Sequence, residues 1–179
     1  MTKVGVFLRA VNLAGRRLTM ADFKRALAAA GYPEAQTVAA TGNAVISAKA
    51  ADGKLEGAIE KALAATLGQA TEVFVRDAAA LAAIVAGNPF PKMARDDPSH
   101  LVVVFLKGEA GAAEVAALRG KISGPEEVAA GPGCLYASYP DDIGHSKLTA
   151  AMIERALKVR GTARNWNTVN KMAELAGAP

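Results

Sequence analysis

The chain holds one cysteine, one tryptophan, two histidines and few aromatic residues of any kind. The solitary Cys134 excludes an internal disulfide and any cysteine-cluster metal site. With only His100 and His145, and no histidine pair at i, i+4, a zinc centre lacks a ligand set. No metal is therefore expected. No stretch reaches the roughly 18 to 20 consecutive apolar residues that a membrane span needs. The start, from Met1 to Arg9, offers only a short apolar run before a charge, which reads as a strand and not a signal peptide. These absences leave a cytoplasmic protein, with no membrane partner, as the expectation.

What is present is a globular composition. Apolar residues make up 51 % of 179, which supports a packed core and either one large domain or two small ones. The net charge of +4 is unevenly spread. The first stretch carries Lys3, Arg9, Arg16 and Arg17 with no acid up to Met20, and the last, from His145 on, is basic despite Glu154 and Glu174. The middle is mildly acidic. Two basic ends could make one positive surface that suits an anionic ligand, or they could be ordinary solvated charge.

Periodicity and turn residues lay out the elements. Val4–Leu8 reads as a buried strand and residues 12–17, with Gly15 and two arginines, as a loop. Thr19 caps a helix to about Ala30, with Met20, Phe23 and Leu27 on one face; Gly31 and Pro33 end it. Thr37–Ala40 and Ala44–Ser47 read as strands joined by Thr41-Gly42-Asn43. A helix opens at Asp52 or Gly53 and closes at Gly68, with Leu55, Ile59, Leu63 and Leu67 recurring every fourth residue. Glu72–Arg76 is a further strand. The order β-α-β-β-α-β is that of a ferredoxin-like unit.

Asp77 then caps an Ala-rich helix to about Ala86. Asn88-Pro89-Phe90-Pro91 stops it and starts an irregular connection through Asp97-Pro98. A second unit begins with the strand Leu101–Leu106 and a helix over Ala112–Arg119. Strands at Glu127–Ala130 and Cys134–Ser138 flank Gly131-Pro132-Gly133. A loop from Tyr139 to His145 leads to a helix capped by Ser146, residues around Gly161–Ala163 could close the sheet, and a helix runs from about Trp166 to Ala176. The fold class expected is α+β, in two tandem units. Residues 1–90 form the ferredoxin-like unit with its connecting helix, and residues 98–179 a related unit ending in helices. No residue pattern recurs at a fixed period.

Four places hold the candidate chemistry. Arg9 follows a buried strand directly, so its guanidinium fork suits a phosphate or carboxylate, or an internal salt bridge. Asn12, three residues on, is a turn former or a ligand contact. Gly42 and Asn43 could turn backbone N–H groups toward an anion, or simply make the turn. Tyr139-Pro140-Asp141-Asp142-Ile143-Gly144-His145-Ser146-Lys147-Leu148-Thr149 gathers two carboxylates, an imidazole, a hydroxyl and an amine before a helix start, where an anion is favoured and Lys147 adds a charge. It is no Walker A loop, and Ser146 has no identifiable triad partner. Last, Arg164, Asn165, Trp166 and Asn167 surround the only tryptophan. With Asn165 as a helix cap, Trp166, Val169 and Ala173 share a stripe, making Trp166 a core anchor. At a cleft its ring would stack on a base or sugar, with Arg164 and Asn167 beside it. No basic helix or finger motif marks a dedicated nucleic-acid domain.

The motifs Leu8-Arg9-x-x-Asn12-x-x-Gly15, Thr41-Gly42-Asn43, Asn88-Pro89-Phe90, Tyr139-Pro140-Asp141-x-Ile143-Gly144-x-Ser146-Lys147-Leu148-Thr149 and Arg164-Asn165-Trp166-Asn167-Thr168-Val169 occur in that order. Together they resemble the bacterial family known as domain of unknown function 1697, over about Val4 to Ala176. Ala10 and Ala14 stand where that family carries glycine, and Thr41 where serine is usual. The resemblance implies two tandem α+β units, the first ferredoxin-like, and no established activity, cofactor or catalytic residue.

The expected function is binding of a phosphate-bearing small molecule or nucleic acid at a basic cleft. Two alternatives stay open. One is an enzyme on a small phosphorylated or carboxylated substrate, with its acid or base among Asp141, His145, Ser146 and Lys147. The other is a structural or interaction protein in which the polar motifs are internal glue.

Overall fold

The computed structural model describes residues 1–9, 12–13, 16–39, 42–68 and 70–178, and of residues 12, 13, 16 and 17 the backbone alone. Ala10, Ala14, Gly15 and Thr41 therefore lie outside the described residues, as does the side chain of Asn12. The chain divides into two compact units, Met1–Ala82 with Lys171–Pro179, and Ala83–Asn170.

The first unit runs β1 (Thr2–Leu8), β2 (Asn12–Leu13), β3 (Arg16–Arg17), α1 (Met20–Ala29), β4 (Gln36–Val38), β5 (Asn43–Ala48), α2 (Gly53–Leu67) and β6 (Val73–Asp77), followed by α3 (Ala78–Ala86). Its sheet has the order β4-β5-β1-β6 with every neighbour antiparallel. That is the ferredoxin-like arrangement expected from the element order. The Thr19 side chain accepts from Asp22 N–H to start α1, and Asp52 accepts from Leu55 N–H to start α2. Gly68, at φ +71°, ends α2 in the left-handed region that a side chain would resist.

Phe23, Ala26 and Leu27 of α1 and Leu55, Ile59 and Leu63 of α2 pack on Val4, Val6, Leu8, Ile46, Val73 and Val75. Phe7 and Phe74 point to the other face of the sheet and are also buried. There a methyl group on Gly5 would lie 3.2 Å from Leu81 and 3.3 Å from Met172. Covering on both faces explains why β1 reads as an unbroken apolar run rather than an alternating one. The outer strand β6 is covered as well: Val73 and Val75 donate N–H bonds of 2.9 and 3.1 Å to Glu60 and Glu56 of α2. Residues 12–17, expected as a plain loop, hold a small ladder in which β2 pairs with β3.

The second unit continues with α4 (Pro91–Asp96), β7 (Leu101–Leu106), α5 (Ala112–Arg119), β8 (Glu127–Gly131), β9 (Cys134–Ser138), α6 (Ala150–Leu157), β10 (Gly161–Asn165) and α7 (Trp166–Leu175). Its sheet order, β10-β7-β9-β8, again all antiparallel, repeats that of the first unit. All of β7 is buried. Val102, Val104 and Leu106 pack with Val115 and Leu118 of α5 and Ile153 and Leu157 of α6. On the reverse face the Tyr136 hydroxyl donates 2.7 Å to the Ile84 carbonyl.

Two expectations need correction here. The connection after Asn88 is not irregular throughout, because Pro91 opens the short helix α4, a position where its missing N–H costs nothing. The helix after the Tyr139 loop is capped by Thr149, whose side chain accepts from Met152 N–H, and not by Ser146. The Ser146 hydroxyl donates to the Glu126 carboxylate instead. No helix among the described residues is long and apolar enough to cross a membrane.

Candidate functional site

The richest polar cluster of the second unit grows out of the β8–β9 hairpin. Glu127 pairs with Ser138 across it, so the residues just outside, Glu126 and Tyr139, emerge side by side. Tyr139 is buried, and its hydroxyl donates to the Leu148 carbonyl at 3.0 Å. Burial, with the charge of Glu126 adding to it, pushes the phenol up to about 12, so it stays a donor. This bond closes the base of a loop, and residues 140–147 stand off the core beyond it.

Inside the loop, Ser146 accepts from Leu148 N–H at 3.0 Å and donates to the Glu126 carboxylate. Asp142 accepts from Gly144 N–H at 2.9 Å and pairs with the Nδ1 of His145. The His145 hydrogen bond first, and the Gly144 N–H second, hold the Asp142 carboxyl below the usual carboxylate range. A hollow of about 290 Å³ opens between residues 123–126 and the loop, lined by Ser123, Gly124, Pro125, Glu126, Asp141, Asp142, His145, Ser146 and Lys147.

Its chemistry is mixed. Glu126, Asp141 and Asp142 bring acceptors, while Lys147 and the imidazole of His145 bring the cationic or donor side. No three His, Cys, Asp or Glu side chains of the described residues form a group able to hold a metal ion. A hydrolase triad is not assembled, because Ser146 donates to Glu126 while His145 pairs with Asp142.

The other candidate residues take different places. Arg9 pairs with the Glu72 carboxylate at 2.5 Å, and its backbone N–H donates to the Glu72 carbonyl at 2.9 Å. Gly42 sits at φ +71°, and its carbonyl accepts from Leu8 N–H. Asn43 is fully buried at the start of β5 and donates to the Val38 carbonyl at 3.1 Å, tying off the β4–β5 turn. Arg164, buried on β10, donates to Thr162 Oγ1 at 2.9 Å and to the Ala163 carbonyl at 2.7 Å. Burial lowers its guanidinium to about 10, which still leaves it charged at neutral pH. Asn165 accepts from Thr168 N–H at 3.0 Å and caps α7. Trp166 is only 6 % exposed, and Asn167 is exposed. Of the residues singled out in the second unit, Ser146 and Lys147 line the hollow, and Arg164 through Asn167 do not.

Glu126, with Ser123 to Pro125, is the part of the site that sequence reasoning passed over. Strand register is what finds it: with Gly131 opposite Cys134, residue 126 falls opposite residue 139, whereas a three-residue loop over Gly131-Pro132-Gly133 would set it opposite residue 138.

The fold matches that of a solved structure, the conserved bacterial protein SP0830 from Streptococcus pneumoniae, with a TM-score of 0.74 over 98 % of each chain. Sequence identity is 15 %, so this is a likeness of fold alone. No curated protein matches the chain. The first unit and the β8–β9 hairpin through Tyr136, with the motifs Leu8-Arg9, Gly42-Asn43 and Asn88-Pro89-Phe90, all fall within residues 1–136, which match the family described as "Protein of unknown function (DUF1697)", and the chain belongs to that family.

Proposed function

We propose that the chain is a cytoplasmic binding protein for a small phosphate-bearing molecule, seated in the hollow between Glu126 and the Asp141–Lys147 loop. The observation that carries this reading is the meeting of Lys147 and His145 with three carboxylates around one hollow of about 290 Å³. Lys147 supplies a point charge for a phosphate, and Asp141 an acceptor for hydroxyls on the same molecule. A phosphorylated polyol has both groups. The volume lies at the small end of ligand pockets, which favours a molecule of sugar-phosphate size. A continuous run of phosphates would meet Glu126, Asp141 and Asp142 as well as Lys147, whereas a single phosphate needs only Lys147, so a small molecule is favoured over nucleic acid.

Isothermal titration of the full chain with a hexose phosphate, the unphosphorylated hexose and inorganic phosphate tests this. The hexose phosphate should bind best, and Lys147→Ala should weaken it about tenfold, equivalent to about 1.4 kcal/mol. No saturable heat with the hexose phosphate, or equal affinity in the variant, would remove the proposal.

The His145–Asp142 pair favours a second reading, in which the chain acts on the bound molecule. An imidazole that gives its Nδ1–H to a carboxylate presents Nε2 as a general base. Under that reading His145→Ala abolishes turnover of the bound compound while its affinity stays within about threefold. Binding without any chemical change would return the chain to the first reading.

A further inference from the structure

Asn88-Pro89-Phe90 is a motif the small-molecule hollow leaves unused. In the second unit the Asn88 side chain accepts from Phe90 N–H at 2.9 Å, and Pro91 opens α4 directly after it. Two prolines and this bond fix the corner, because each proline locks its own φ and restricts the residue before it. Hollows of about 420 and 410 Å³ adjoin there, and Pro89, Phe90 and Glu127 line both. Arg119 and Ile122 bound the first, and Met93 and Pro140 the second. Phe90 is thus a ridge in a groove that passes the outer strand β8.

The charged residues lining this groove are Lys92, Asp96, Asp97, Arg119, Glu126 and Glu127. Four acids face two bases, with Asp96 paired to Arg95 and Asp97 to His100 at the edge of the groove, on a chain whose overall charge is +4. Glu126 and Glu127, which have no cationic partner among the described ion pairs, remain to attract a cationic occupant. An added β-strand fits poorly. Gly131 pairs with Cys134 across the two-residue turn, and alternation along an antiparallel pair then turns the peptide groups of Val128 outward. The Val128 carbonyl already accepts from Arg119 Nε at 2.9 Å, so a new strand would have to displace that bond. A polyproline helix needs no ladder, and its rings dock against aromatic and proline side chains such as those of this corner.

We infer that the groove on either side of Phe90 docks a proline-rich segment of another protein that carries arginine or lysine beside its prolines. This stands apart from the small-molecule reading, with which it shares only Gly124 and Glu126 among the lining residues.

Fluorescence anisotropy of a fluorescein-labelled polyproline peptide flanked by arginines, titrated with the full chain, tests it. Saturable binding is expected, weakened about tenfold or more by Phe90→Ala and by Glu127→Lys, and lost when glutamates replace the flanking arginines. Glu127 is exposed, so its variant keeps the test intact should Phe90→Ala fail to fold by circular dichroism. Four outcomes would overturn the inference. They are no saturable binding, equal binding of the glutamate-flanked peptide, unchanged binding by folded Glu127→Lys, or tighter binding of an arginine-flanked peptide of valine and threonine.

Discussion

Asp142 accepts from both the Gly144 N–H and the His145 ring, and these donors hold its carboxyl below the ordinary value. The folded loop therefore prefers the ionised carboxylate. Its contribution is present above the unfolded carboxyl pKa and is lost as pH falls through the lowered folded value. Because His145 is the largest cause of the shift, His145→Ala should move the Asp142 titration back up toward the ordinary range. Carbon NMR of the side-chain carboxyl reads this directly, and an unmoved titration would mean that the pair does not form in solution. At this scale the loop was legible and its partner was not. Asp141, Asp142, His145, Ser146 and Lys147 announce themselves by density within seven consecutive positions. Glu126 lies twenty residues before Ser146 in an unremarkable stretch, and only strand pairing makes them neighbours. Arg9 and Asn43 show the converse. A guanidinium after a strand and an amide in a turn are read equally well as ligand contacts or as internal ties. In the described contacts Glu72 and the Val38 carbonyl serve as their partners.

The β8–β9 hairpin positions Glu126 beside the loop, so the site depends on how tightly that turn can pack. A Cβ on Gly131 would lie 2.4 Å from the Tyr136 ring and 2.7 Å from the sulfur of Cys134. The ring cannot swing aside, since Tyr136 is fully buried and its hydroxyl is held by the Ile84 carbonyl at 2.7 Å. Gly131→Ala should therefore cost about 1–3 kcal/mol as overpacking. Urea denaturation measures it, and an unchanged midpoint would show that the hairpin yields more easily than this packing implies. Elements were the most legible level wherever caps and apolar period agreed. The helix over Ala112–Arg119 and the strand Cys134–Ser138 appear with the bounds expected of them. Two of the misses share one cause, which is a residue type with two uses. Pro91 both ends a helix and can begin one, so α4 was hidden behind a stop signal. Ser146 and Thr149 are both good caps, and tertiary pairing with Glu126 decided which of them served.

Two units repeat one strand order without repeating a sequence, because a split β-α-β-β-α-β core asks only for apolar residues at the right period and not for particular ones. A second regularity lies at the outer strands. Glu56 and Glu60 bond the N–H groups of β6, Glu154 accepts from Gly161 N–H of β10 at 2.9 Å, and Arg119 bonds a carbonyl of β8. Helix side chains thus occupy groups that another strand would otherwise use. The first unit is also discontinuous, since Lys171–Pro179 belongs with Met1–Ala82. Nothing local in the sequence marks this, because the last helix has an ordinary cap and stripe and its partner strand is at the opposite end of the chain. The consequence is testable at Met172, which is fully buried on the Gly5 face of the first sheet. Met172→Ala should destabilise that unit by about 2–5 kcal/mol, the range for emptying a core methionine site. Hydrogen exchange locates the effect. Amides of β1 and β5 should lose protection while those of β7 and β9 keep theirs, since the lost contacts lie on the first sheet. Loss of protection in β7 and β9 alone would mean that the end of α7 stabilises the second unit instead.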